Sequence, residues 1–401
     1  QTSDKDIYAA GDMVEIDHRV SGKKVRIPLA GPANRQGRIA AENALGGEHP
    51  YIGAMGTSIL RVFEAVAGIT GLSLKQARSL GIPADAVVVH KEHHTSYYPG
   101  SKDVTVKLVY NTETGEVLGG QTAGYAGADR RLDVVATAIA GKMSIHDLAD
   151  VDFAYSPPLG TANDAVNMAA FTAENRNSGY SPAVTVAELD ELVAKTNPIV
   201  IDVRDMFAFE KSKIEGSYNI PLEVLPGELK DLPIDKNYIV YDEHGKKGHQ
   251  ALRMLKGAGI ENVWNISGGH ISLQRHAYAV GFENIKVSLL PLEEKTIGEK
   301  KKEDAPKKEA PAAKQKDTSS PLVVDIRTPM EFLGGAYPGA INVCLDDIHS
   351  RIDEFGDKDR DITLYCASGA RSAYAQQILR ELGYTNVKNG GGLMHMMMKR
   401  K

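Results

Sequence analysis

Two stretches of this chain repeat one another, and that repeat limits the fold more than any other feature. Ile199–Arg204 reads IVIDVR and Leu322–Arg327 reads LVVDIR, each an apolar run of strand length ending in Asp-x-Arg. EGSYNIPL (Glu215–Leu222) and PGAINVCL (Pro338–Leu345) follow at the same offset. Then IVYDEHGKKGHQALRMLKGAGIENVWNISGGH (Ile239–His270) matches TLYCASGARSAYAQQILRELGYTNVKNGGGLMH (Thr363–His395). Each copy predicts a strand, a tight loop and an amphipathic helix with apolar residues three and four apart, then a glycine, a strand and a glycine pair. Strand and helix alternate, so each copy is expected to be a small parallel α/β domain. Two distant copies make a duplication, not a solenoid.

The 401 residues exceed what one ordinary core holds. Lys295–Ser320, KTIGEKKKEDAPKKEAPAAKQKDTSS, has one aliphatic residue and no aromatics, and cannot bury enough apolar area to offset the entropy of ordering. The linker is placed at 285–320. A weaker boundary lies at Asn175–Pro182, where NRNSGYSP gathers turn formers. A net charge of −5 argues against a general nucleic-acid surface, and no apolar run reaches the ~18 residues of a membrane span. Two cysteines, Cys344 and Cys366, rule out a disulfide framework and fit a reducing, cytoplasmic setting. The chain opens at Gln1 without a basic or apolar leader and reads as a piece of something longer.

Before Pro182 the texture is α+β. Asp6–Asp12 (DIYAAGD) predicts a short strand running into a glycine turn, and Ile27–Leu45 a loop feeding a helix. Val87–Val89, Val104–Tyr110 and Val117–Gln121 predict strands, with Asn111–Gly115 as a hairpin turn and Arg131–Ala140 as a helix.

The strongest chemical signal is Tyr365-Cys366-Ala367-Ser368-Gly369-Ala370-Arg371-Ser372. A cysteine ends a buried strand, small residues turn the chain, and an arginine opens a helix. Backbone N–H groups of such a loop point inward and stabilise a thiolate or a persulfide anion. These residues resemble the rhodanese (sulfurtransferase) family from Leu322 to about His395. The resemblance implies that Cys366 takes a sulfane sulfur as a persulfide and passes it to a thiol or cyanide. Ala367, Ser368, Gly369 and Ala370 would form the persulfide loop, Arg371 would bind the anionic donor, and Asp325 and Arg327 would stabilise the core beneath. Related phosphatases use a loop one residue larger, so the four residues between Cys366 and Arg371 argue against phosphatase activity. Ala336 and Tyr337 stand where the family has a His and an Ile, and the strand and helix that usually precede Asp-x-Arg are missing unless the linker supplies them. Cys344 reads as a small hydrophobe, with a resolving role as the alternative.

In the other copy, alignment of Tyr241 with Tyr365 puts Asp242 opposite Cys366 and Lys247 opposite Arg371. No carboxylate forms a persulfide, so this copy resembles a rhodanese domain without transferase activity. Docking is its expected role, ahead of a metal site at Glu243, His244 and His249; no metal is assigned.

DIYAAGD together with IPLAGPANRQGRIAAEN resembles the C-terminal edge of the FAD-binding domain in pyridine nucleotide-disulfide oxidoreductases. The resemblance makes Asp12 a ribityl ligand and sets Pro28, Leu29 and Ala30 against the flavin ring; Asp12 as a simple turn cap is the structural alternative. Tyr51–Phe171 is similar to the dimerisation domain of the same superfamily. Its HHTSYYPGSKD (His93–Asp103) and FAYSPPLGTANDAVNMAA (Phe153–Ala170) most resemble coenzyme A-disulfide reductases and NADH-dependent persulfide reductases. There two tyrosines act near the thiol of the partner subunit's site. The matching positions are Tyr155 and Tyr97, with Tyr98 as an alternative to the latter and interfacial packing as the structural reading. A phenol, with a pKa near 10, is still protonated at neutral pH and so has a proton to offer a leaving thiolate. The FAD and NAD fingerprints and the redox cysteine of that family are not in these residues.

The expected architecture is multidomain α/β and α+β. It comprises an edge of a FAD-binding domain (1–46), an α+β dimerisation domain (47–174), a rhodanese-like domain without the cysteine (181–284), the linker, and a rhodanese domain with it (321–401). The resemblances imply part of a homodimeric, FAD- and NAD(P)H-dependent CoA-disulfide or persulfide reductase. Its partners would be coenzyme A persulfide or disulfide, thiosulfate and polysulfide, with no nucleic acid or membrane. The alternatives are a stand-alone sulfurtransferase on a dimerisation platform and a non-enzymatic docking scaffold.

Overall fold

The structure, a computed structural model, describes residues 1–289, 321–327, 331–332, 335–348, 351–367 and 369–398. It divides into two compact units, Gln1–Glu293 and Glu294–Lys401. Most of the linker, and Ser368 of the cysteine loop, lie outside the described residues.

In the first unit β1 (Ile16–Asp17) and β2 (Lys24–Val25) form a small antiparallel pair ahead of the helix Ala30–Ala44. The strand expected at Asp6–Asp12 does not form. An isolated strand leaves its N–H and C=O groups unpaired, and here the Gly11 N–H goes instead to Gln36 Oε1 at 2.7 Å.

Five antiparallel strands follow: β3 (Ser58–Val62), β4 (Ala65–Gly71), β5 (Ala84–Glu92), β6 (Asp103–Asn111) and β7 (Val117–Gly124). Their order is β3-β4-β7-β6-β5. The helix Ala128–Ala140 buries Leu132, Val135 and Ala138 against them. Glycines at the contact let it sit close: a Cβ at Gly68 would meet Leu132 Cδ2 at 2.5 Å. The alanine-rich helix Ala165–Asn177 completes this core with Ala165, Ala169, Ala170 and Ala173. The three expected strands, the hairpin and the helix are all present, each longer than its apolar run.

The second half of this unit is a five-stranded parallel sheet. Its strands are β8 (Ala183–Val184), β9 (Ile199–Asp202), β10 (Tyr218–Asn219), β11 (Tyr238–Tyr241) and β12 (Val263–Ile266), in the order β10-β9-β11-β12-β8. Parallel strands are covered on both faces, which is why β11 is buried throughout. Residues 285–288 pack on this domain, beyond the boundary expected at 284. Ile285 is buried, Val287 bridges Ile214, and Ser288 N–H donates to Lys213 O at 2.9 Å.

This parallel domain is fastened to strand β5. Ser267 Oγ accepts the Val88 N–H at 2.7 Å and donates to the Val88 carbonyl at 3.0 Å, occupying an edge that would otherwise be open. His90 Nε2 lies 2.8 Å from Ser272 Oγ; burial and then the charge of Arg275 push the His90 pKa down to about 3, so this link joins neutral groups. Glu188, from the helix Val186–Thr196, takes Arg78 at 2.9 Å and Arg176 at 3.3 Å.

The second unit holds β13 (Leu322–Asp325), β14 (Ile341–Asn342), β15 (Ile362–Cys366) and β16 (Val387–Gly392), all parallel, in the order β14-β13-β15-β16. The order repeats β10-β9-β11-β12. Registers agree as well: Tyr241 pairs with Asp202 and Tyr365 with Asp325. The loops that follow β11 and β15 therefore start from equivalent places in their sheets.

Candidate functional site

Cys366 is the last residue of β15 and is fully buried. Its Sγ accepts the Gly369 N–H at 3.1 Å, and Ser372 Oγ lies 3.6 Å away. Gly369 has φ +105° at the N-cap of the helix Ala370–Glu381, a conformation that L side chains rarely adopt. A Cβ there would also meet Gly391 Cα at 3.2 Å, so the glycine lets the loop lie against the next turn. Asn389 fastens that turn, its Nδ2 donating to Gly369 O at 3.1 Å while its Oδ1 lies 2.8 Å from Ser372 Oγ. A sulfur at the head of a helix, on an inward N–H, is stabilised as an anion.

Arg371 does not stand alone. Glu331 accepts from Arg371 Nη1 at 2.7 Å and from Nη2 at 2.8 Å, and this carboxylate raises the Arg371 pKa above its ordinary value. The pair was not legible beforehand: Glu331 is six residues past Asp325, where the other copy has Ala208. Ser372 and Asn389 were likewise missed.

Beneath the loop Arg327 holds Asp325 with Nε at 3.0 Å and Nη2 at 2.7 Å, and reaches Gly335 O at 2.7 Å. Tyr337 replaces the family's Ile without loss of a backbone link, since its N–H donates to Tyr365 Oη at 2.9 Å. Ile214 makes the same bond to Tyr241 in the first copy. Cys344 is partly exposed beyond the end of β14. It lies two residues past that strand, at the cap of the 3-10 turn Leu345–Asp347, and its charge acts on Arg371 together with that of Cys366.

The first copy fills its loop differently. The Asp242 carboxylate accepts backbone N–H groups of Gly245 at 2.7 Å, Gly248 at 3.1 Å, Lys247 at 3.2 Å and His244 at 3.4 Å. Lys247 is turned to Glu223 at 3.0 Å. Among the described residues no three or more metal-ligating side chains converge. Glu243 goes to Arg204 at 3.1 Å and His249 to Ser181 at 2.8 Å.

Tyr97 and Tyr155 come together. The neighbouring Tyr97 hydroxyl raises the Tyr155 pKa above its ordinary value. Both are substantially exposed. The loops that carry them are tied by Thr95, whose N–H donates to Gly160 O at 3.1 Å and whose Oγ1 donates to Pro157 O at 2.9 Å. The buried Arg131–Asp164 pair anchors both loops, with Arg131 also reaching His93 O at 2.9 Å. Tyr98 packs edge-on against His94.

At the other end of this unit the helix Ala30–Ala44 starts at Leu29, in extended conformation and without a side-chain cap. Its first N–H groups are thus open to a polar partner. Asp12, Pro28 and Ala30 are exposed there and Leu29 is half-buried. The Gly11–Asp12 turn is held to the same helix by Gln36.

Comparison with known proteins agrees with this division. The pyridine nucleotide-disulphide oxidoreductase dimerisation domain matches residues 59–166, and the rhodanese-like domain matches twice, at 185–274 and 308–393. The chain thus joins a dimerisation domain of that oxidoreductase family to two rhodanese-like domains. It is similar to the reduced CoADR-RHD of Bacillus anthracis, at 38% identity and a TM-score of 0.66, over 71% of this chain and 50% of that one. It is also similar to a NAD-dependent persulfide reductase from A. fulgidus, at 34% identity and a TM-score of 0.62, over 68% and 49%. A CoA-dependent NAD(P)H sulfur oxidoreductase of Pyrococcus abyssi is 34% identical over 164 residues, 41% of this chain and 36% of that protein. The chain spans half or less of these relatives' length. Among the described residues no helix is long and apolar enough to cross a membrane.

Proposed function

We propose that this chain is part of a flavin-dependent NAD(P)H:CoA-disulfide or persulfide reductase whose terminal rhodanese domain carries sulfane sulfur on Cys366. The observation that carries the sulfur-transfer reading is the buried Cys366 Sγ on the Gly369 N–H at the head of a helix. The thiolate attacks the outer sulfur of a donor, the donor's S–S bond breaks, and its electron pair leaves with the remainder. The loop then holds the persulfide anion until a thiol takes the outer sulfur.

The reductase half rests on the dimerisation domain and its paired tyrosines. Asp12, Pro28, Leu29 and Ala30 would hold one edge of FAD, which when bound supplies the electron pair drawn from NAD(P)H. Tyr155, kept protonated by Tyr97, would give a proton to the thiolate released in a homodimer's shared site. The first rhodanese-like domain serves as a docking domain, because Asp242 occupies its anion cradle.

Cys366→Ser is expected to abolish sulfur transfer from thiosulfate or a persulfide to cyanide. Intact-mass analysis of the donor-treated chain should show one added sulfur atom in the unsubstituted protein and none in the variant. Retained transfer in Cys366→Ser would overturn the reading.

A further inference from the structure

The Glu331–Arg371 pair accompanies the cysteine. Where the second copy has Cys366, Arg371 and Glu331, the first has Asp242, Lys247 and Ala208, and Lys247 takes its carboxylate from Glu223 in a different segment. Much of the frame beneath the loop is kept in both copies. The Asp–Arg pair recurs as Asp202–Arg204 and Asp325–Arg327. The asparagine bridge recurs as Asn265 to Gly245 O and Asn389 to Gly369 O. A pair needed only to hold the loop's shape would be needed in both. This one changes with the chemistry.

Its charge has a consequence for the donor. The bidentate contact engages both Nη atoms of Arg371 and leaves the pair with no net charge. An anionic donor must displace the Glu331 carboxylate or share Arg371 with it, and either way meets repulsion that grows with the donor's own charge. Thiosulfate brings two negative charges. A thiol persulfide, R–S–SH, brings at most one at its reacting end.

We infer that Glu331 is a specificity-determining residue that turns the Cys366 site from dianionic thiosulfate toward thiol persulfides. The inference rests on the Cys366 persulfide reading above. With the favoured donor, Cys366–S⁻ and R–S–SH give Cys366–S–SH and R–S⁻; the donor's S–S bond breaks, a new one forms to Cys366, and no external oxidant or reductant is consumed. With thiosulfate the same attack releases sulfite.

Steady-state transfer to cyanide in the full chain, with cysteine persulfide and with thiosulfate, tests it. Glu331→Gln should lower the KM for thiosulfate by about tenfold while leaving the persulfide KM nearly unchanged, the modest size reflecting partial exposure of the pair. Sulfate, an inert dianion, should then inhibit the variant more strongly than the unsubstituted chain. An unchanged ratio of the two KM values, or a parallel rise in both, would overturn the inference. Should Glu331→Gln not fold, the unsubstituted chain decides: a higher kcat/KM for persulfide supports the assignment and a higher one for thiosulfate refutes it. Cys366→Ser run alongside keeps the two readings apart. Transfer retained there removes the Cys366 reading, whereas transfer lost there with an unchanged donor ratio in Glu331→Gln removes only the role of Glu331.

Discussion

Asp242 Oδ1 accepts the Gly245 N–H at 2.7 Å, in the position where Cys366 Sγ accepts the Gly369 N–H at 3.1 Å. The loop of the first copy thus points a carboxylate at the backbone donors that meet a sulfur in the second. Asp242→Asn removes that charge and turns an NH2 group toward backbone donors. Charge-assisted hydrogen bonds contribute about 1.5–3 kcal/mol each, and relaxation recovers part, so a loss of about 2–3 kcal/mol is expected in urea unfolding of the chain. A loss near zero would mean that the four N–H contacts do not hold the loop.

Cys344→Ser should leave sulfur transfer unchanged. Strand β13 stands between β14, which ends two residues before Cys344, and β15, which ends on Cys366, so the two thiols leave strands that are not neighbours. Peptide mapping after oxidation is the check, and a Cys344–Cys366 crosslink would contradict the geometry.

Asp325→Asn is expected to destabilise the second unit by about 3–5 kcal/mol, because Arg327 would be left buried without its counter-ion. The same substitution at Asp202 strands Arg204, which retains Glu243 at 3.1 Å, so its loss should be smaller. Comparing the two by chemical denaturation isolates the contribution of the extra carboxylate.

Tyr97→Phe should lower the pKa of Tyr155 toward the ordinary tyrosine value, since the interaction of the Tyr155 hydroxyl with Tyr97 is the leading cause of its rise. Absorbance-detected alkaline titration of Tyr97→Phe, referenced to Tyr97→Phe/Tyr155→Phe, reads that single group. The same double-variant comparison in the Tyr97 background gives the starting value.

The repeat made the parallel sheets legible, because two apolar strands ending in Asp-x-Arg at one offset admit few arrangements. Cys366 was legible for the same reason: small residues between a strand and an arginine allow only a tight loop. Glu331 was not, because a lone glutamate between Met330 and Phe332 acquires its partner only when the fold brings residues 40 positions apart together. The Asp6–Asp12 strand failed on the same principle in reverse. Its apolar run Ile7–Ala10 has strand length, but a strand needs a neighbour, and Gln36 took the N–H of Gly11 instead. Domain docking was also hidden, since Ser267, His90 and Glu188 look like ordinary surface residues until β5 and the parallel domain meet.

That docking supplies a pH-dependent test. Glu188 sits between Arg78 and Arg176, and Arg176 also takes Asp85 at 2.6 Å. Burial on its own would raise the Glu188 pKa, but Arg176, the Thr185 hydroxyl and Arg78 overcome it and hold the carboxyl at about 2. A carboxyl depressed in the folded chain binds its proton more readily when unfolded, so its contribution to stability is complete above the ordinary glutamate pKa of about 4.3 and is lost as pH falls through about 2. Glu188→Gln should therefore be less stable than the unsubstituted chain at neutral pH, with a constant deficit down to the ordinary glutamate range. Below it the deficit should shrink, and the two urea midpoints should converge as the medium approaches the folded pKa. A deficit that stays constant through that acidic range would show that Glu188 holds the two domains by its shape and not by its charge.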